Sequence, residues 1–332
     1  MLYNLTMTAD SVADVKREVL VRHLEAWAPS ALHRARRATY VHGYADTDAG
    51  VSAEAALQVF VDQSDLVRGR ELTMLTVAGD VSAVEPRLSA VPAAAAGLVV
   101  HTVGGGTDER LAVALKAVGA ARVPLLGYLD ASAASGPPSL TTVAALAGGK
   151  PAEALLVFAP GALAEGGDRV FGDGRWRGRS GGALVDAYRS ALSDAGFPLA
   201  AAVEMVAGEG DGELLVYATT SGKSLEAFKD LLWAVDEYAG VRYRDPGDPD
   251  RHLIDISLNP HPGPLRREIL QHLARVKEAT VTELRTYALT ETVYRAADAT
   301  RVVHALIDAG TVHRQPEHGR LGGDVVITAG PA

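Results

Sequence analysis

The 332-residue chain contains no cysteine. That excludes disulfides, thiolate metal sites and a cysteine nucleophile. Positive charge is also in short supply: 32 Lys and Arg stand against 41 Asp and Glu, a net −9. Phosphate binding over a whole surface needs clustered cations, so this balance leaves room only for a local basic patch. No apolar run approaches the roughly 18 residues needed to span a bilayer. The first 25 residues are charged and amphipathic, without the apolar core of a targeting segment. A cytoplasmic location with no membrane role is therefore expected. A Walker phosphate loop, a His-Glu-x-x-His zinc motif and a Ser-His-Asp spacing are missing too.

Apolar residues make up 48% of the chain, enough for one large core or two. Residues 11–27 place Val15, Val19, Leu20, Leu24 and Trp27 at helical spacing, and Pro29 predicts a stop. Strands and helices then alternate. Strands are predicted at TYVHGYA, LTMLTVAGD, GLVVHTV, VPLLGYLD and AEALLVFAP, with helices over 52–63, 83–91, 107–119 and 138–147 between them. Five apolar strands joined by such helices imply right-handed crossovers and a parallel sheet. Helix 183–195 follows, and then LAAAVEMVAG and ELLVYATT, joined by the turn signal EGDG. A parallel sheet ending in an antiparallel hairpin is the strand pattern of class I methyltransferases. Its Rossmann-like domain is expected over 1–245.

Residues 246–263 continue a Pro-, Gly- and Asp-rich stretch beginning near 240 and read as a linker. Beyond it, helices over 264–276 and 291–309 flank the Thr-capped TVTELRTYAL, and TVHRQPEHGRLGGDVVIT closes as a two-stranded ribbon. Three helices and a ribbon predict a winged helix over 264–330. From Leu265 onward nine Lys and Arg meet eight Asp and Glu. On the third helix Arg295 and Arg301 are offset by Glu291, Asp298 and Asp308. That near-neutrality favours docking of a protein partner, or a homodimer, over nucleic acid.

Several segments fall in one order: KREVLVRHLEAWAPS, ATYVHGYADTDAG, LLGYLDASAASG, VFGDGRWRG, ALVDAYRSALSDAGFP and LLVYATTSGKSLEAFKDLLWAVD. Together they resemble the three-Cys-motif partner (TcmP) family over most of the chain. Its most specific marks are Phe171-Gly172 with Trp176, and the run from Tyr217-Ala218-Thr219 through Phe228-Lys229 to Trp233 and Asp236. The resemblance implies a methyltransferase-like domain, a winged-helix tail, S-adenosylmethionine as cofactor and a three-Cys-motif protein as partner. The family's first strand ends Tyr-Ile-Asp-Gly-Phe-Ala-Gly-Pro-Gly. Here Tyr40, Val41, Gly43, Tyr44 and Ala45 match, His42 replaces the acid, and Asp46 and Asp48 replace two glycines. A Cβ and a carboxylate at each of those positions obstruct close approach of a cofactor. The ribose acceptor expected at the end of the second strand is Ala78, with Asp80 two residues on as a substitute. Asp108 is the nearest acid for an adenine contact. Of the family's Asp-Pro-Phe-Gly only Asp130 remains, and it is the catalytic candidate. A methyltransferase descendant with weakened or lost cofactor binding and a partner role is expected. The alternative is an active methyltransferase, acting on nucleic acid.

Other constellations carry two readings each. His42, His101 and Asp130 end parallel strands and could share a metal, or could cap separate loops without meeting; we assign no metal site to them. Arg169, Arg175, Arg177 and Arg179 around Trp176 could grip a substrate's phosphate while the indole stacks on its base, with Arg175, Trp176 and Arg177 as the nearest candidates, or the segment could form a solvated loop with Trp176 as its anchor. Asp230, Asp236 and Glu237 could supply a general base, or form an exposed helix face.

Overall fold

The computed structural model describes residues 2–91, 97–208, 212–235 and 240–330. Among the described residues nine strands make the main sheet: β1 Arg37–Gly43, β2 Glu71–Ala78, β3 Leu98–Gly104, β4 Leu125–Asp130, β5 Ala152–Phe158, β6 Leu199–Ala207, β7 Glu213–Thr219, β8 Val241–Arg244 and β9 Leu253–Asp255. Their order is β3-β2-β1-β4-β5-β7-β6-β8-β9. β1 to β5 run parallel, and β7 inserts antiparallel between β5 and β6. That insertion is the mark of a class I methyltransferase-like fold. β4 and β5 are buried along their whole length, which is why LLGYLD and AEALLVF read as unbroken apolar runs.

Helices cover both faces. Tyr40, Tyr128, Leu155 and Tyr217 pack with α1 Leu2–Arg34, α2 Val51–Asp62, α3 Val84–Ala90 and, beyond the hairpin, α9 Gly222–Leu232. Val41, Leu129, Leu156 and Val216 pack with α4 Thr107–Ala117, α5 Leu140–Leu146, α6 Ala162–Glu165, α7 Gly167–Phe171 and α8 Gly182–Asp194.

Pro29 does not stop the first helix, which continues to Arg34. A proline leaves the carbonyl four residues back without its donor. Here that carbonyl belongs to Glu25, and the Gln63 side-chain amide donates to it at 3.1 Å. The lost helical bond is replaced from outside, so the helix survives.

The stretch read as a linker contains β9, which pairs with β8 at the edge of the main sheet. After it come α10 Gly263–Val276, β10 Glu278–Thr280, α11 Val281–Glu291, α12 Ala296–Asp308, β11 Val312–Gln315 and β12 Val326–Ala329. The small sheet has three strands, β10-β12-β11, one more than the ribbon expected. Thr280 caps α11 in a reciprocal box with Glu283, as a Thr-x-x-Glu spacing requires.

The third helix begins at Ala296, not near 291. The Val293 amide is drawn away to the Asp245 carboxylate at 2.7 Å, and Asp298 instead accepts the Arg295 amide at 3.0 Å. Lys229 explains the rest. Its ammonium, fully buried on α9, donates to the carbonyls of Ala288 (2.9 Å), Thr292 and Tyr294 (2.9 Å). Trp233 Nε1 donates to Val293 O at 3.1 Å. The C-terminal helices are thus bonded to α9 through their backbone.

Candidate functional site

In open α/β sheets ligands enter at the carboxyl ends of the strands, where the strand order reverses. Here that place is the crevice at the ends of β1, β2 and β4, bounded by the loop 44–50. After Gly43 the chain turns through Tyr44 at φ 54°, a left-handed conformation uncommon outside glycine. The Ala45 amide donates to Val77 O at 3.1 Å and the Gly50 amide to Ala45 O at 2.8 Å, folding the loop over the end of β2.

The two acids that replace glycines serve the chain itself. Asp46 Oδ2 accepts the Asp80 amide at 3.2 Å, and a Cβ on Gly79 would lie 2.9 Å from the same oxygen. Asp48 Oδ2 accepts the Ser52 amide at 2.9 Å in the first turn of α2. That turn offers the N–H groups a ligand's anion would otherwise seek. Gly43 keeps its glycine character, but a Cβ there would fall 2.5 Å from Leu129 Cδ2 and 2.8 Å from Thr107 Cγ2. The space its missing side chain leaves is filled by protein.

The remaining cofactor candidates are tied down similarly. Thr107 Oγ1 accepts the Tyr44 amide at 2.8 Å, and the Tyr44 hydroxyl donates to Asp108 Oδ2 at 3.0 Å. Asp108 Oδ1 accepts the Ser139 amide at 3.0 Å and the Thr142 hydroxyl. Ala78 is fully buried, and its carbonyl accepts the Gly105 amide. Asp80 is exposed, and the Ser82 amide, 2.9 Å from its Oδ1, holds its carboxyl below the usual range.

Asp130 lies beneath the loop, 6% exposed. Lys16 of α1 donates to its Oδ2 at 3.0 Å, the Tyr128 hydroxyl to the same oxygen at 3.1 Å, and the Ser132 amide to Oδ1 at 3.1 Å. Lys16 also pairs with Glu213 at 2.7 Å. Burial pushes the Asp130 carboxyl up, but Lys16 and Ser132 outweigh it and hold it below the usual range. A carboxylate so stabilised is a weak base at neutral pH, so its environment does not poise it for proton transfer.

Tyr40 and His42 are core residues, 0% and 1% exposed. The Tyr40 hydroxyl lies 2.8 Å from His42 Nδ1, and the imidazole leans on Tyr128 with ring centroids 5.0 Å apart. Burial pulls the His42 pKa down to about 4 against the opposing pull of Asp48 and Asp130, so the ring is neutral at pH 7. The structure does not bring His42, His101 and Asp130 together. His101 sits on the edge strand β3, and two intervening strands put β4 roughly 14 Å away. Among the described residues, the group close enough to share an ion is Asp248, Asp250 and His252. There the Arg267 guanidinium already stands 3.0 Å from His252 Nδ1.

Two arginines of the Gly- and Arg-rich loop are paired with carboxylates. Arg175 pairs with Asp173 at 2.8 Å and Asp194 at 2.7 Å, and Arg177 pairs with Asp168 at 3.2 Å. Trp176 lies flat against Gly167, where a Cβ would meet its ring at 2.3 Å, and its Nε1 donates to Asp168 at 3.3 Å. That is the anchoring role rather than an open stacking platform. Asp230 is exposed on α9, while Asp236 and Glu237 lie outside the described residues. Sequence reasoning missed Lys16, although a lysine interrupting the apolar face of Val12, Val15, Val19 and Leu20 was a readable signal.

Among the described residues no helix is long and apolar enough to cross a membrane. No protein-family model matches the chain, and no curated protein matches it. Solved structures similar to it include methyltransferases. A variant of the 16S rRNA (adenine(1408)-N(1))-methyltransferase from Catenulisporales acidiphilia is 14% identical, covering 59% of this chain and 90% of its own, with a TM-score of 0.32. Human methyltransferase-like protein 13 in complex with SAH is 16% identical over 68% and 94%, with a TM-score of 0.35. The Bacillus cereus O-methyltransferase in complex with SAH is 14% identical over 66% and 89%, with a TM-score of 0.33. The strand order with its antiparallel β7 places the chain in the class I methyltransferase-like fold.

Proposed function

We propose that this protein is a TcmP-like descendant of S-adenosylmethionine-dependent methyltransferases whose cofactor crevice has closed and whose role is to dock a partner. One observation carries the reading: the Asp46 carboxylate stands in the crevice, bonded to the Asp80 amide. A bound nucleoside would have to displace that carboxylate and find a ribose acceptor other than Ala78. The fold retains the enzyme's strand order, so the active-methyltransferase alternative differs only in whether the loop yields to the cofactor.

The domain division follows the same reading, with a methyltransferase-like unit up to β8 and a winged helix from α10 onward. Two observations support docking over nucleic-acid recognition by that tail. Arg295 is bonded to Asp298 at 2.9 Å and to Leu258 O at 2.7 Å. Arg301 is bonded to Asp298 and to Asn259 at 3.0 Å. Both guanidiniums already have partners, Arg295 in the more buried setting of the two.

Asp46→Gly tests the closure directly. It removes the obstructing carboxylate and restores the glycine of the family pattern. Affinity for S-adenosylhomocysteine by calorimetry should rise about tenfold over the unsubstituted protein, equivalent to roughly 1.4 kcal/mol. An unchanged affinity would mean that Asp46 does not close the crevice.

A further inference from the structure

The opposite edge of the sheet carries a feature that the methyltransferase reading leaves unused. Residues 33–37 lead from α1 into β1, and residues 65–71 lead into β2, so both segments meet at the amino ends of adjacent strands. They contain five arginines and two carboxylates in a chain whose net charge is −9. Between them lies a cleft of about 560 Å³, lined by Arg34, Arg36, Arg68 and Arg70, with His33 and Asp65.

Three of these arginines lack the carboxylate partners that several others in the chain have. Arg175, Arg177, Arg189, Arg295 and Arg301 are each held by carboxylates. Arg34, Arg36 and Arg70 are exposed and, among the described residues, make no side-chain hydrogen bond or ion pair. Arg68 does touch Asp65 at 3.1 Å, but their side chains are 86% and 92% exposed. Such a pair is worth little and yields readily to a better partner. Arg37, the fifth, is set apart by its bonds to Glu71 and Val118 O.

We propose that this cleft binds closely spaced phosphate groups, either of a free oligophosphate or of a single-stranded nucleic-acid backbone. Guanidinium groups bind phosphate through paired N–H donors, and several unpaired ones around one cleft would otherwise repel each other. A ligand with more than one phosphate relieves that repulsion and fits a cleft of this size. The site is independent of the crevice and stands whether or not the cofactor binds there.

The test uses the full chain at about 50 mM salt, where phosphate contacts are strongest. Inorganic tripolyphosphate is titrated by calorimetry, and a labelled single-stranded 12-mer RNA by fluorescence anisotropy. Binding of at least one probe in the micromolar range is expected. The triple substitution Arg34→Ala, Arg36→Ala and Arg70→Ala should weaken it at least tenfold, with thermal unfolding unchanged because all three side chains are exposed. Tighter binding of RNA, with a log–log salt slope of about −2 for three contacts, identifies a backbone ligand. Equal or tighter binding of tripolyphosphate identifies a free oligophosphate. Absence of millimolar or better binding by both probes overturns the site, as does binding that persists in the triple variant.

Discussion

Lys229→Met is expected to destabilise the protein by about 3 kcal/mol. The substitution preserves volume but removes three donors from a place without water access. The Ala288 carbonyl keeps the Thr292 hydroxyl at 2.9 Å, whereas the Thr292 and Tyr294 carbonyls lose the ammonium. Two orphaned buried carbonyls cost about 1–3 kcal/mol each, partly offset by no longer burying a charge. Burial pulls the Lys229 pKa down to about 7, opposed by Asp245, which shows how much that offset matters. At roughly 2 °C per kcal/mol for a chain of this size, the melting temperature should fall by about 6 °C. Calorimetric unfolding at pH 7 checks it. A loss below about 1 kcal/mol would mean that the carbonyls find other donors, and the bonding of the C-terminal helices to α9 would need another explanation.

Glu268→Gln should act in the other direction at alkaline pH. Both carboxylate oxygens of Glu268 are buried and without a hydrogen-bond partner. Burial, with Asp245 and Asp248 adding to it and Arg267 and Lys229 opposing, pushes its pKa from 4.5 up to about 8. Between those values the folded chain keeps a proton that the unfolded chain releases. The associated stability is therefore fully present below pH 4.5 and is lost as pH rises through 8. The full shift would be worth roughly 4–5 kcal/mol, and rearrangement of the folded chain around the charge reduces the expected effect to about 2–3 kcal/mol. Glutamine mimics the protonated acid, so denaturant unfolding should show the variant more stable by that amount at pH 8.5 and nearly equal at pH 5. Equal stabilities at pH 8.5 would mean that the carboxylate reaches water.

The fold was largely legible because its strands are long apolar runs set apart by helices of amphipathic spacing. Even the Thr280 cap and the antiparallel β7 left local signatures. Pro29 misled because its compensation comes from Gln63, a residue 34 positions away that no local pattern connects to Glu25. The late start of α12 misled for the same reason, since Asp245 and Lys229 act on it from outside.

Within the crevice, the sequence showed which glycines and acids had been replaced but not what the replacements do. That Asp46 closes on Asp80, and Asp48 on α2, depends on a loop conformation set by Tyr44 and Gly50 at positive φ. Lys16 and Lys229 share one readable signature, a lysine within an apolar helical stripe. Leu225, Phe228 and Leu232 frame Lys229 as Val12, Val15 and Val19 frame Lys16. In each case the pattern announced a buried cation, while its partners came from distant segments. The residues that carry the family resemblance are largely packing residues. Tyr217 stacks on Phe228 with centroids 4.1 Å apart, and Trp233 and Lys229 fasten the tail.

Calorimetric titration of the unsubstituted protein with S-adenosylmethionine and S-adenosylhomocysteine tests the closed crevice most directly. Loss of a bidentate ribose contact alone costs about 2–3 kcal/mol, roughly 30- to 150-fold in affinity. The structure adds the carboxylate of Asp46 and the filled face of Gly43 to that loss. Dissociation constants of hundreds of micromolar or weaker are predicted for both ligands. A constant below a few micromolar for either would contradict the closed crevice and favour the active-methyltransferase alternative.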